Sequence, residues 1–179
     1  EITSTEIDSY LAETSASLTV EHPDYSYLAA RIKANALHKQ TPGFIIATKN
    51  LFEDGLLKES YYKKVIENAE EIESIIDYDQ DYHFDYFALT TLTRAYLLKF
   101  ENKTIERPQD LWMRVALTVS CDSFDFNKVK KTYLSLSNGL YTHATPTLFN
   151  SGLKMQQLSS CFLIAMENDS ISGIYSTLS

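Results

Sequence analysis

The sequence predicts a mainly helical chain that turns, after Gly139, into the opening of an α/β unit. Three observations carry that expectation. Apolar residues recur at helical intervals through most of the chain, and capping and breaking residues divide them into separate helices. Beyond Gly139 the pattern becomes short apolar runs bounded by turn residues, as strands are.

Thr3 and Glu6 have capping-box spacing, and Ile7, Tyr10, Leu11, Thr14 and Leu18 follow at helical intervals, so residues 4–20 should form an amphipathic helix. His22-Pro23-Asp24 ends it. A second helix over residues 25–38 places Leu28, Ile32 and Ala36 on one face and stops before Thr41-Pro42-Gly43, where the pre-proline restriction and the glycine favour a break. A third surrounds residues 44–57. The next is longer, with Val65, Ile66, Ala69, Ile72, Ile75 and Ile76 on one side and Lys63, Lys64, Glu70, Glu71 and Glu73 on a solvated face.

Residues 87–99 are helical by pattern, and Asn102-Lys103 reads as a turn. Pro108 stands where the first position of a helix over residues 109–118 tolerates it. Another helix, 126–137, is closed by Asn138-Gly139. Residues 140–143 and 158–166 then read as strands, the second feeding a helix opened by Asp169 or Ser170.

Sixteen basic against 24 acidic residues give a net charge of −8, which disfavours a phosphate-tracking nucleic-acid surface. A local basic pocket for one nucleotide is still compatible with it. Two cysteines without a Cys-x-x-Cys pair, and no signal-peptide pattern, fit a reducing compartment, so a cytoplasmic location is expected. The longest apolar runs, such as Phe44-Ile45-Ile46-Ala47, fall far short of the roughly 20 residues of a membrane helix, so no membrane association is expected. The chain begins without Met at a helix start and stops inside what reads as a new helix. It reads as a piece of a longer protein.

Several residues carry chemistry by type, each with a plainer reading beside it. Cys161 alone in an apolar strand is a small buried hydrophobe or a redox group. Thr145 serves turn chemistry or a ligand, and Ser160 serves strand packing or a ligand. A regular strand would point Ser160 and Cys161 to opposite faces, so both reach one pocket only if the strand ends, twists or bulges there. Asp169-Ser170-Ile171 is a plain helix cap with Ile171 turned inward, or an anion site. Ser4 could simply cap its helix.

Three further signals fail. Asp77-x-Asp79-x-Asp81 starts like a calcium loop, but Tyr82 stands where glycine is needed and Ala88 where a bidentate Glu is needed. Asn102-Lys103-Thr104 and Asn168-Asp169-Ser170 spell glycosylation sequons that should go unused without a secretory signal. His22, His38, His83 and His143 lack metal-ligand spacing, so no metal site is expected.

The order Thr142-His143-Ala144-Thr145-Pro146-Thr147-Leu148-Phe149-Asn150, then Gln157-Leu158-Ser159-Ser160-Cys161-Phe162, then Asp169-Ser170-Ile171-Ser172-Gly173-Ile174-Tyr175 resembles the catalytic large subunit of ribonucleotide reductases. Glu106-Arg107-Pro108-Gln109, Met113-Arg114-Val115 and the Ile-Ile-Asp-Tyr-Asp run at 75–79 extend that resemblance over nearly the whole chain. It is nearest the class I, two-subunit enzymes of eukaryotic type, as an N-terminal fragment.

The resemblance implies that residues 1–41 are the end of an ATP-cone, residues 42–139 the helical N-terminal domain, and residues 140–179 the first strands of a catalytic α/β barrel. It makes Cys161 one thiol of the pair that reduces the substrate, and Thr145 and Ser160 contacts to the substrate nucleotide. Asp169, Ser170 and Ile171 would bind the effector that selects the base to be reduced, with Asp169 on a sugar hydroxyl or magnesium rather than phosphate. Ser4 and Asp8 match positions that touch ATP. Cys121 matches none of the redox positions and is expected to be structural.

The implied activity is radical-based reduction of ribonucleoside diphosphates to deoxyribonucleotides. Implied partners are a small subunit whose metal centre supplies the radical, thioredoxin or glutaredoxin, and a second copy of the large subunit. No tightly bound cofactor is expected in this chain, only nucleotide effectors (ATP, dATP and other deoxynucleoside triphosphates) with magnesium. A cobalamin-dependent relative would share these residues. A non-catalytic helical regulatory or interaction module is the alternative of another class, and it would need neither the Cys161 thiol nor the hydroxyls beside it.

Overall fold

The computed structural model describes residues 2–120 and 124–178. Ten α-helices dominate the described residues: α1 Ser4–Ser17, α2 Asp24–Gln40, α3 Phe44–Glu53, α4 Glu59–Glu67, α5 Ala69–Ile75, α6 Tyr86–Thr91, α7 Pro108–Val119, α8 Phe126–Ser137, α9 Thr145–Asn150 and α10 Ile171–Leu178. Two two-residue strands, β1 Lys99–Phe100 and β2 Lys103–Thr104, form an antiparallel hairpin. None of the described helices is long and apolar enough to cross a membrane.

Helix α7 is the centre. Ten consecutive residues, Pro108 to Leu117, are buried, and Leu111, Met113, Val115 and Leu117 join one core with α3, α4, α5 and α8. Its start is fixed by Pro108 and by Asp110, whose carboxylate accepts the Arg107 N–H at 2.8 Å. Around this helix the caps follow the sequence. Thr3 and Glu6 close the expected capping box on α1, and α8 ends on Gly139 in the left-handed region (φ 66°). There the Leu140 and Gly139 N–H groups reach back to Ser135 and Leu136, which satisfies the last carbonyls as a Schellman motif does.

Helix α3 is shorter than expected for the same reason. Gly55 (φ 76°) permits a second Schellman closure, with Leu56 N–H on the Leu51 carbonyl and Gly55 N–H on that of Phe52. Residues 56–58 are thereby released to pair with 152–154, through Lys58 N–H to Gly152 O (2.9 Å) and Lys154 N–H to Leu56 O (3.0 Å).

The long helix expected around residues 63–76 is two. Asn68 turns its amide onto the Lys64 carbonyl at 2.8 Å and leaves helical geometry (φ −121°, ψ 26°), so the chain restarts at Ala69. The expected buried side survives the break, with Val65, Ile72 and Ile75 inside. The helix expected over 87–99 ends earlier, in a π-helical turn, Leu92–Tyr96, after which Glu101 and Asn102, both at positive φ, make the hairpin turn.

At the N-terminus the expected faces are not the buried ones. Tyr10 is 72% exposed, and Ile7, Leu11 and Leu28 are also exposed, while α1 buries Ala12 and α2 buries Ala29, Ala30, Ala34 and Leu37. Periodicity marks an apolar stripe but not which neighbour is present, and here the neighbours are met through alanines. Ala30 and Ala34 pack with Leu89 of α6.

Beyond Gly139 the structure corrects the strand reading. Residues 140–143 form no strand, Thr145–Asn150 is a helix with Pro146 in its first turn, and 158–166 run as irregular exposed chain. A strand exists only by hydrogen bonding to a neighbour, and these runs pair with none of the described residues. The first barrel strands expected from the resemblance are therefore not formed among the described residues.

Two buried polar clusters bind the elements. Arg114, 1% exposed, donates to both oxygens of Glu106 (2.5 and 3.0 Å) and to the carbonyls of Leu148 (3.1 Å) and Ser151 (2.8 Å), while Glu106 also accepts the Leu98 N–H. At the end of α2, His38 meets the buried Asp81 at 2.7 Å. Asp81 accepts from Gln109, whose own oxygen accepts from Tyr133 and Ser137. Arg107 reaches the Thr41 hydroxyl and the His38 and Thr41 carbonyls and lies 4.6 Å over the Tyr78 ring. Two aspartates of the failed calcium pattern thus have structural roles: Asp77 caps the 3₁₀ turn Tyr78–His83 by accepting the Asp79 N–H, and Asp81 belongs to the cluster, while Asp79 is exposed.

Removing one side of the first cluster leaves a buried charge and two carbonyls without a partner. Arg114→Met should destabilise the fold by about 3–5 kcal/mol, and Glu106→Met added to it should recover part of that loss, as measured by chemical denaturation.

Burial pushes the Asp110 carboxyl up to about 8, against the Arg107 N–H and Tyr78 O–H donors, which hold it down. The folded chain therefore retains this proton between about pH 4 and 8 while the unfolded chain has lost it, so the contribution is greatest at low pH and declines as pH rises to about 8. Asp110→Asn should flatten that part of the stability profile, read as the denaturation midpoint against pH.

Candidate functional site

Helix α9 carries Thr145 as its first residue, and long-range contacts hold it at both ends. At its C-terminal end the Leu148 and Ser151 carbonyls sit on Arg114. At its beginning Thr145 Oγ1 lies 3.3 Å from the Tyr96 hydroxyl, and the Tyr96 ring stands 4.9 Å from that of Phe149. Thr145 is exposed, so its hydroxyl is open to a ligand.

The same helix fastens the chain that leads to Cys161. Thr147 Oγ1 donates to the Leu158 carbonyl at 3.0 Å, and Asn150 donates to that of Gln157 at 2.7 Å. Ser160 and Cys161 follow within three residues of Leu158, both exposed, with Cys161 a free thiol. Cys161 is thus not a buried hydrophobe, and neither residue lies on a regular strand that would force opposite faces. Cys121 lies outside the described residues.

Ser170 opens α10. Its hydroxyl accepts the Gly173 N–H at 3.0 Å and its carbonyl accepts the Ile174 N–H at 2.9 Å, which makes it the N-cap. Asp169 precedes the cap, exposed, and Ile171 points outward at 77% exposure, so the inward packing expected of it does not occur. Gly173 is required by closeness: a Cβ there would stand 2.6 Å from the Asn168 carbonyl oxygen.

Ser4 is the first residue of α1, behind the Thr3 cap, and Asp8 one turn on is bridged by Lys39 of α2 at 3.1 Å. Asp8 lines a cleft of about 600 Å³ between α1, α2 and the hairpin, together with Lys33, Tyr86, Thr93 and Lys103. Burial holds the Lys33 ammonium below its ordinary range; Glu13 opposes this and Arg94 adds to it.

The structure therefore joins Thr145 to the segment leading into Ser160 and Cys161, and places the α10 start and the α1 pair on other elements. Sequence reasoning missed Tyr96, and it quoted Gly173 and Arg114 without a role. Tyr96 and Arg114 act across 49 and 34–37 residues, a separation that no local pattern records. Gly173, two residues into α10, was legible as an unusual glycine in a helix start.

A family model described as the all-alpha domain of ribonucleotide reductase matches residues 82–156, the stretch that holds α6, the hairpin, α7, α8 and α9. The ribonucleoside-diphosphate reductase large subunit of Arabidopsis thaliana is 43% identical over 99% of this chain, and that of Dictyostelium discoideum is likewise 43% identical over 99%. Large chain 2 of the Saccharomyces cerevisiae enzyme is 44% identical, again over 99%. The chain spans 23%, 21% and 21% of the lengths of these relatives. A domain model described as the all-alpha domain of ribonucleotide reductase thus matches the centre of the chain, and nearly its whole length is similar to a segment of ribonucleoside-diphosphate reductase large subunits.

Proposed function

We propose that this chain is a segment of the large subunit of a ribonucleoside-diphosphate reductase, which converts ribonucleotides to deoxyribonucleotides. The observation that carries the reading is the 43–44% identity along 99% of the chain with proteins that bear that name. The exposed thiol, three residues along the chain from the Leu158 carbonyl that Thr147 of α9 anchors, supports it.

In this reading Cys161 is one of two thiols that reduce the ribose. Loss of the 2′-oxygen as water and its replacement by hydrogen takes two electrons and two protons, which a thiol pair supplies as it becomes a disulfide. The second thiol and the cysteine that initiates the radical step belong to sequence outside this chain. Thr145 and Ser160 hold the nucleotide by hydroxyl hydrogen bonds. Asp169, Ser170 and Ile171 form the opening of an effector site, and Ser4 and Asp8 the edge of an ATP site whose neighbouring cleft carries Lys33 and Lys103.

Residues 1–41 act as the end of the ATP-cone, 42–139 as the helical domain, and 140–179 as the entry to the barrel. A small subunit delivers the radical, thioredoxin or glutaredoxin regenerates the thiols, a second large subunit completes the dimer, and magnesium accompanies the effectors. The exposed apolar residues from Phe162 to Met166 are consistent with a segment that finds strand partners in the remainder of the barrel.

In the full-length enzyme Cys161→Ser should leave folding and effector binding intact and abolish repeated turnover with a dithiol reductant. Undiminished steady-state deoxynucleotide formation would refute the assignment.

A further inference from the structure

We propose that Tyr96 is a positioning residue for the nucleotide site: its hydroxyl fixes the Thr145 hydroxyl as a donor towards the substrate. The proposal rests on the reading of Thr145 as a substrate contact.

Two independent observations converge on Tyr96. The first is the backbone that delivers it. Helix α6 does not run on as an α-helix but widens into the π-helical turn Leu92–Tyr96, closed by the Leu97 N–H on the Leu92 carbonyl at 3.0 Å. Such a turn admits one extra residue and re-aims the side chains at its end; it sacrifices regular hydrogen bonding, and π-turns recur at functional sites. Here the residue at its end is Tyr96.

The second observation is where the side chain goes. The ring lies on Phe149 (4.9 Å, 36° between planes), which fixes its direction, and the hydroxyl stands 3.3 Å from Thr145 Oγ1, 49 residues away. Both contacts fall on α9, whose other end is gripped by Arg114. Thr145 is exposed and would otherwise rotate its hydroxyl freely.

The chemistry follows from the two hydroxyls. Each can donate one hydrogen bond and accept others, and a phenol is the stronger donor of the pair. When Tyr96 donates to Thr145, the Thr145 proton is left to point away from Tyr96, into the open side. Donation to an acceptor oxygen of a nucleoside diphosphate is then prepared in advance, and each bond strengthens the other. Tyr96 itself need not touch the substrate.

The test is a cycle in the full-length reductase, with steady-state kinetics on a nucleoside diphosphate. Tyr96→Phe keeps the ring on Phe149 and removes only the hydroxyl. It should raise KM about 2- to 12-fold, the worth of one hydrogen bond, with kcat changed less than twofold and the melting temperature unmoved. Thr145→Val should raise KM by at least as much, and Tyr96→Phe added to Thr145→Val should have no further effect. Thr145→Ser, which keeps the hydroxyl, should restore most of the affinity. If Thr145→Val raises KM while Tyr96→Phe does not, or if the two changes multiply independently, the role of Tyr96 is wrong and that of Thr145 stands. If Thr145→Val leaves KM unchanged, the substrate reading of Thr145 falls, and the role of Tyr96 with it.

Discussion

The Arg114 guanidinium is the constraint on which the rest of this structure depends. It is buried on the central helix and spends its donors on Glu106, which precedes that helix, and on two carbonyls at the end of α9. A buried ion pair is weak evidence for net stability, because desolvation offsets most of the attraction. What it supplies here is geometry. Leu148 and Ser151 have their carbonyls satisfied in only one placement of α9, and α9 in turn holds Thr145 against Tyr96 and the Gln157-Leu158 segment against Thr147 and Asn150.

A second polar cluster does for the N-terminal helices what Arg114 does for α9. The end of α2 is fixed by His38 on Asp81 and by Arg107 on Thr41, and through Gln109 the same cluster reaches Tyr133 and Ser137 of α8. The seam that the sequence places at Thr41-Pro42-Gly43 is therefore a break in the helix but not in the packing. Any displacement of α2 relative to α7 must part these bonds.

Local chemistry was legible in the sequence, and long-range chemistry was not. The Thr3–Glu6 box, Pro108 at the start of α7 and Asn138-Gly139 at the end of α8 all stand as expected, because each is decided within a few residues. The Asn68 break was missed although its cause is local, since an asparagine inside an apolar helical pattern need not turn on its own backbone. The inward faces of α1 and α2 were misjudged because the stripe of larger apolar residues faces away from the neighbours that are present. Strands at 140–143 and 158–166 failed for a different reason, since pattern suggests a strand but only a partner makes one. In the candidate site the family resemblance singles out Thr145, Ser160 and Cys161 as expected site residues, whereas the contact of Tyr96 with Thr145 and the partners of Arg114 emerge only from the folded chain.

The most direct test of this account is native-state amide hydrogen exchange on Arg114→Lys, whose single ammonium cannot serve a carboxylate and two carbonyls in the planar geometry of a guanidinium. Loss of protection should concentrate in Leu148, Ser151, Leu153 and Lys154, with the amides of α8 retaining theirs. Equal loss across α8 and α9, or protection unchanged throughout, would contradict the claim that Arg114 fixes α9 upon the helical core.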